Sequence, residues 1–319
     1  MQRHGLRAAR VKYLAWVSLV IIAATPGIAL GQEKIPAPLN ESQIASRVAA
    51  SLKITHVPKA LSTPLSAMGA DHVGRYFPTI KIGCYNYAPA CTFGNTRAKK
   101  TIVLLGDSHA AMWAPALIPA ATAVGYKVVV LWFPNCPAAD VTPFNLGRGA
   151  LDLNCVSWHR RIFADIAQAH PTAVILSEAT SFAQSDSSTM FSSPEWQSGV
   201  ERTISAVSSK ATKVVVMGDI PVFTESPSNC LARNPAAVQQ CSTPLVNLDP
   251  KLRQLTSAEK AAALARGVKF VSPTSLLCAS SCSPLVGNQV TYFDNNHVSA
   301  SYAATVRSAL WVQISRAMS

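Results

Sequence analysis

From residue 99 onward, short apolar runs rich in β-branched residues alternate with longer stretches of helical periodicity. That alternation constrains the chain more than any other feature. The runs at 101–105, 127–132, 173–177, 213–218 and 268–271 read as strands. Helices are predicted between them at 110–123, 156–169, 194–209 and 256–266, with a last one over 299–317. Strands that are apolar throughout, rather than at every second residue, are covered on both faces, and an intervening helix makes consecutive strands parallel. The predicted fold class is therefore α/β, a three-layer α/β/α sandwich with a five-stranded parallel, flavodoxin-like sheet. Such sheets bind ligands at the carboxyl ends of their strands, near the switch point that the first strand borders.

The residues at the end of that first strand are Gly106-Asp107-Ser108-His109-Ala110. A glycine turn followed by a helix start exposes the Ser108 hydroxyl, and the helix N-terminus favours negative charge developing beside it. Taken alone, Ser108 also reads as an ordinary helix cap. Asp294-Asn295-Asn296-His297, just before the last helix, supplies what a nucleophile needs. At this spacing the Asp294 carboxylate reaches the His297 imidazole within one turn and fixes its tautomer. The other ring nitrogen then takes the serine proton. Ser108 as nucleophile, His297 as general base and Asp294 as its orienting group make a Ser-His-Asp set.

His109 diverges from Ser108 at a helix start, which suits substrate contact or helix-start packing rather than base chemistry. Asp107 bonds amides of the turn, and Asp219, in a similar Gly-Asp turn after the fourth strand, is structural. Trp113 and Trp158 either pack in the core or line a sugar-binding face. His159 is placed at the surface or at the edge of the core.

The N-terminus carries a basic cluster of Arg3, Arg7, Arg10 and Lys12, an apolar stretch over 14–24, and small residues up to Gly31. Residues 1–31 thus read as a secretory signal peptide, with an uncleaved membrane anchor as the alternative. Either places the remainder outside the cytoplasm, in the periplasm, the cell envelope or the medium. Residues 32–82, punctuated by prolines, read as a linker or irregular extension that wraps the main domain or spaces it from the membrane, with a short helix at 42–52. Residues 83–319 form the main domain. All eight cysteines lie beyond the signal, and an even count in an exported chain argues for disulfides. Their clustering favours neighbour pairing: Cys84 with Cys91, Cys136 with Cys155, Cys230 with Cys241, Cys278 with Cys282. A zinc site is the alternative, but paired Cys-x-x-Cys spacing is missing. The net charge of +12 is diffuse and not interleaved with aromatics, which argues against nucleic-acid binding.

Gly106-Asp107-Ser108 with a late Asp294-x-x-His297 resembles the SGNH (GDSL-type) esterase and acyltransferase superfamily. The run Gly106 to Ala110 with Trp113, Cys136-Pro137, Cys155-Val156-Ser157-Trp158, Gly218-Asp219-Ile220-Pro221 and the Cys230–Cys241 and Cys278–Cys282 loops resemble, more narrowly, the SGNH domain fused to family-three membrane acyltransferases. The resemblance spans residues 83 to the C-terminus. It implies acyl transfer on O-acyl, chiefly O-acetyl, groups of cell-envelope glycans, by O-acyltransferase or acylesterase chemistry, with no cofactor and no metal. It also implies a separate multi-span membrane acyltransferase as partner and acyl donor. One departure concerns the oxyanion hole, which in the superfamily includes an asparagine in Gly-x-Asn-Asp after the third strand. Here residues 177–182 stand in that place, leaving the Ser108 amide, with Asn135 as a candidate second donor. The same departure keeps open a non-catalytic glycan-binding or partner module with the same fold.

Overall fold

The computed structural model describes residues 35–80, 83–181, 183–209 and 212–319. The predicted signal peptide and Phe182 lie outside the described residues.

The five predicted strands form. They are β2 (Lys100–Gly106), β3 (Tyr126–Trp132), β4 (Ala173–Ser177), β5 (Lys213–Met217) and β6 (Lys269–Val271). They run parallel in the order β3-β2-β4-β5-β6, the flavodoxin-like arrangement. The sheet has six strands rather than five. A two-residue strand, β1 (Thr92–Phe93), adds antiparallel to the outer edge of β3. Two residues carry no periodicity to read, and β1 is held at the edge by the Cys84–Cys91 disulfide and the Cys84–Trp132 bridge beside it.

Alternate strand residues feed two cores. Ile102, Leu104, Val128, Val130, Ile175 and Val215 face one layer of helices, while Val103, Leu105, Val129, Leu131, Val174 and Val216 face the other. All are fully or almost fully buried. The first layer contains α1 (Glu41–Ser51), α3 (Ala114–Ala123) and α8 (Ala300–Met318). The second contains α4 (Leu153–Ala169), α5 (Ser193–Val207) and α7 (Pro250–Ala265), and a short helix, α6 (Pro227–Arg233), lies in the loop between β5 and α7.

Helix boundaries moved where caps and prolines outweighed periodicity. The predicted helix 110–123 is split: a single turn, α2 (Ser108–Ala111), precedes α3. Pro115 lacks an amide proton and its ring clashes with the carbonyl four residues back, so the turn cannot continue smoothly into α3. Helix α7 starts six residues before the predicted Thr256, because Asp249 caps the Lys251 amide and Pro250 occupies the first turn. The eight cysteines are joined as Cys84–Cys91, Cys136–Cys155, Cys230–Cys241 and Cys278–Cys282. Among the described residues, no helix is long and apolar enough to cross a membrane.

Of the two readings of residues 32–82, wrapping and spacing, the described part wraps. Ile44, Val48, Met68 and Ile80 are buried. The strongest tether is Asp71, which is fully buried. The last helix, α8, has no cap from its own Ser299 side chain. Asp71 supplies it from the N-terminal segment. Its Oδ1 accepts the Ser301 amide at 3.0 Å, its Oδ2 accepts the Ser301 hydroxyl at 2.5 Å, and its backbone carbonyl accepts the Ala300 amide at 2.7 Å. Arg75 balances the carboxylate at 3.0 Å. A carboxylate at a helix N-terminus is doubly favourable, through hydrogen bonds and the helix dipole. Asp71→Ala is expected to destabilise the protein by about 1–3 kcal/mol. Limited proteolysis within residues 52–70 should accelerate in parallel. An unchanged melting temperature would show that α8 does not depend on this cap.

Candidate active site

Gly106 ends β2 beside the carbonyl of Ser177 on β4. A Cβ added there would lie 1.8 Å from that oxygen, at φ +155°, so only glycine lets the strands stay paired up to the turn. The chain then reverses into α2. Asp107 caps this turn, its Oδ1 accepting the His109 amide at 2.8 Å. Ser108, the first residue of α2, is held at the carboxyl end of the sheet, where the strand order switches between β3 and β4.

The turn before α8 meets it there. The Ser108 hydroxyl donates to His297 Nε2 at 2.8 Å. His297 Nδ1–H donates to Asp294 Oδ2 at 2.7 Å. The other Asp294 oxygen accepts the amides of Asn296 and His297 at 2.9 and 2.7 Å. Burial pushes the Asp294 carboxyl up, but the His297 hydrogen bond and charge and the two amides outweigh it, and its pKa lies below the ordinary value. An ionised Asp294 fixes the proton on His297 Nδ1 and leaves Nε2 as the acceptor facing the serine. Phe293 stacks on the His297 ring, with centroids 5.3 Å apart. The three residues line a cavity of 340 Å³ together with His72, Val73, Ala111, Met112, Trp132 and Phe293. His297 and Asp294 remain 18% and 37% exposed at the side chain, which leaves them accessible to a ligand in this mainly apolar cavity.

Other residues singled out in the sequence are placed differently. His109 and Trp113, each read from the sequence as either a substrate contact or a packing residue, are interior: they are 0% and 1% exposed. The turn of α2 points His109 inward against Asp219, and Trp113 joins the core beneath α3. Trp158 is likewise interior, its indole donating to the Tyr85 carbonyl at 2.9 Å. His159, read as a surface or core-edge residue, is fully buried against the Cys136–Cys155 disulfide and donates from Nε2 to the Pro137 carbonyl at 2.8 Å. Burial lowers its pKa, against the smaller opposing effects of that carbonyl and Asp140. Cys136, Cys155 and His159 cluster with metal-ligand spacing, but both sulfurs are committed to the disulfide. Asn135, at φ +58°, occupies a tight turn and lines a separate depression with Phe144 and Asn145.

The loop after β4, where the superfamily carries its oxyanion asparagine, is turned inward. The Ala179 amide donates to Asp107 Oδ2 at 2.9 Å, and the Thr180 amide and hydroxyl donate to Asp219 Oδ2 at 2.7 and 2.8 Å. The Glu178 side chain is buried and accepts the Ala139 amide at 2.5 Å. Burial, with smaller contributions from the Asp107 and Asp219 charges, pushes its carboxyl up to about 8. Glu259 on α7 is pushed up as well, by burial first and by Glu178 second.

Sequence reasoning missed His72. Its Nδ1 accepts the Gly74 amide at 3.0 Å, and its ring meets Phe293 edge-on at 6.0 Å. Nothing in its local sequence marks it, because only the wrapping of the N-terminal segment brings it to the cavity.

A family profile described as "SGNH domain (fused to AT3 domains)" matches residues 76–311, and the chain belongs to that family. No curated protein is significantly similar in sequence. Among solved structures, the periplasmic domain of a lipopolysaccharide acetyltransferase from Salmonella ser. Paratyphi A is 18% identical with a TM-score of 0.56, over 76% of this chain and 95% of that one. A putative acylhydrolase from Bacteroides fragilis is 12% identical with a TM-score of 0.45, over 71% and 91% of the two chains. A carbohydrate acetylesterase from Sinorhizobium meliloti is 14% identical with a TM-score of 0.42, over 68% and 99%. At these identities the first likeness speaks for the fold.

The raised Glu178 carboxyl has a consequence for stability. Unfolded, it releases its proton near its ordinary pKa of 4.5, whereas folded it holds the proton to about 8. Across that window the unfolded state binds fewer protons, so stability falls as pH rises. Glu178→Gln keeps an acceptor for Ala139 and removes the titration. Its melting temperature relative to wild type is expected to be higher at pH 8 than at pH 5, by several degrees. An equal difference at both pH values would mean that Glu178 ionises normally in the fold.

Proposed function

We propose that this protein is an exported, serine-dependent acyl-transfer enzyme acting on O-acyl groups, chiefly O-acetyl groups, of cell-envelope glycans. The observation that carries the reading is the hydrogen-bonded series Ser108 Oγ–H to His297 Nε2, and His297 Nδ1–H to Asp294. His297 takes the proton as Ser108 Oγ attacks the ester carbonyl, and Asp294 stabilises the imidazolium so formed. The Ser108 amide faces the oxyanion. The tetrahedral adduct collapses, His297 protonates the departing alcohol, and the acyl group stays on Ser108. A second alcohol or water, deprotonated by His297, then attacks the acyl-serine and releases it. A sugar hydroxyl as acceptor makes the reaction an O-acyl transfer, and water makes it ester hydrolysis. Family membership supports transfer, with a multi-span membrane acyltransferase delivering the acyl group. The apolar wall of the 340 Å³ cavity suits a small acyl chain. Export is supported by the basic and apolar N-terminal sequence and by the four disulfides.

One observation favours a second reading, a non-catalytic glycan-binding module. The loop at 177–180 spends its amides on Asp107 and Asp219, so the usual second oxyanion donor is missing from that position. Removing one such donor costs about 100- to 1,000-fold in rate. Slow turnover is therefore expected of the isolated protein.

Hydrolysis of an aryl acetate by purified protein separates the two. Ser108→Ala is expected to abolish it, and Asp294→Asn to lower kcat by about 100- to 10,000-fold, since the amide no longer holds His297 in the required tautomer. Wild-type rates in Ser108→Ala would exclude serine catalysis. In the presence of an oligosaccharide acceptor, acylated sugar is the expected product. Free acetate alone would assign the protein to the esterases.

A further inference from the structure

One buried histidine takes no part in the acyl-transfer steps. His109 follows the nucleophile in sequence, and its side chain is fully enclosed. Its Nδ1–H donates to Asp219 Oδ1 at 2.5 Å. On its other side, Nε2 lies 3.2 Å from Nδ2 of Asn296. Asn296 stands between Asp294 and His297 in the same turn and is itself buried. The His109 and His297 rings meet edge-on, with centroids 4.9 Å apart. A second hydrogen-bonded series, Asp219–His109–Asn296, therefore runs alongside Asp294–His297–Ser108.

The anchor of this second series is firm. Asp219 Oδ1 also accepts the Ile220 amide at 2.8 Å, and its Oδ2 is filled by the amide and hydroxyl of Thr180. A carboxylate so saturated cannot rotate without breaking several buried bonds. The turn it reaches is also tied to the loop after β5 through Asn295, whose carbonyl accepts the Phe223 amide at 2.8 Å, and just past His297 the Val298 amide donates to Met112 Sδ at 3.4 Å. His109 joins the turn to the helix that carries the nucleophile.

We propose that His109 is the positioning residue of this site, holding the 294–297 turn over Ser108 through Asn296. Its kinetic consequence presupposes the serine-dependent reaction proposed above. Burial pulls the His109 pKa down, but Asp219 beside it, followed by Asp107 and Asp294, outweighs burial, so the ring takes up a proton more readily than ordinary histidine. The groups facing it are Asp107 on its own turn, Asp219 after β5, and Asp294 and His297 on the turn before α8. Neutral His109 accepts the Asn296 amide N–H at Nε2. Protonated His109 donates there and requires Asn296 to present its oxygen. Either state keeps the turn attached.

Two substitutions separate positioning from filling a buried polar space. In His109→Asn the amide nitrogen takes the place of Nδ1, keeping Asp219 and losing Asn296. In His109→Gln the longer amide reaches the place of Nε2, keeping Asn296 and losing Asp219. Expected with an aryl acetate is a drop in kcat of about 10- to 100-fold for His109→Asn and Asn296→Ala. KM should stay within about threefold, and His109→Gln should recover most of kcat, although its melting temperature falls as far as that of His109→Asn. Wild-type kcat in His109→Asn, or losses that track melting temperature across the set, would overturn the role. A second readout needs no turnover: the downfield proton resonance of His297 Nδ1–H bonded to Asp294. It should persist in His109→Gln and vanish in His109→Asn and Asn296→Ala. Its persistence in all three would overturn the positioning role even if Ser108→Ala showed that the serine reaction itself is wrong.

Discussion

The buried carboxylate of Asp219 is the interaction on which the site depends. It lies beyond the end of β5, is 5% exposed, and collects donors from three directions: Thr180 after β4, Ile220 on its own loop, and His109 on α2. Burying a lone carboxylate is costly, and it is tolerated only where hydrogen bonds and an opposite charge replace water. Here burial raises the Asp219 pKa, while His109 and the surrounding donors lower it further than burial raises it, so the charged form is retained. Two strands over, Asp107 gathers the amides of His109 and Ala179, although burial pushes its own pKa above the ordinary value. Together the two carboxylates fasten the ends of three parallel strands. That leaves the serine turn little freedom, which is what a site built for one geometry requires.

The same fastening explains why the usual oxyanion loop is unavailable. The amides of Ala179 and Thr180 could not face Ser108 without releasing Asp107 and Asp219. A firmly held Ser108–His297 pair, the nucleophile and base of the proposed reaction, thus lies beside few free backbone amides. These are two outcomes of one packing decision, since a loop that braces the turn from behind cannot also line it from the front.

The sheet could be read from the sequence because parallel, doubly covered strands are apolar throughout, and all five long strands fall within a residue or two of their expected limits. The meeting of Ser108 with Asp294 and His297 was also legible, because each motif sits at an element end that the fold sends to one edge. Three kinds of information were not. Strand β1 is too short to show a period, and the break before α3 is set by a proline whose effect falls four residues earlier. The inward turn of His109 follows from a partner 110 residues away, and no local pattern distinguishes it from a residue aimed at substrate. His72 was hidden for the same reason, since its place at the cavity is set by long-range wrapping.

That wrapping means the family boundary and the folding boundary are not the same. The family profile begins at residue 76, yet Asp71 caps the last helix and His72 and Val73 wall the cavity of Ser108. An excised fragment starting at the profile's edge would keep Ser108, His297 and Asp294 while losing the wall opposite them and the cap of the helix that follows His297. Where this domain is grafted onto another protein, the portable unit begins no later than α1, and the stretch before the profile travels with the chemistry as part of its container.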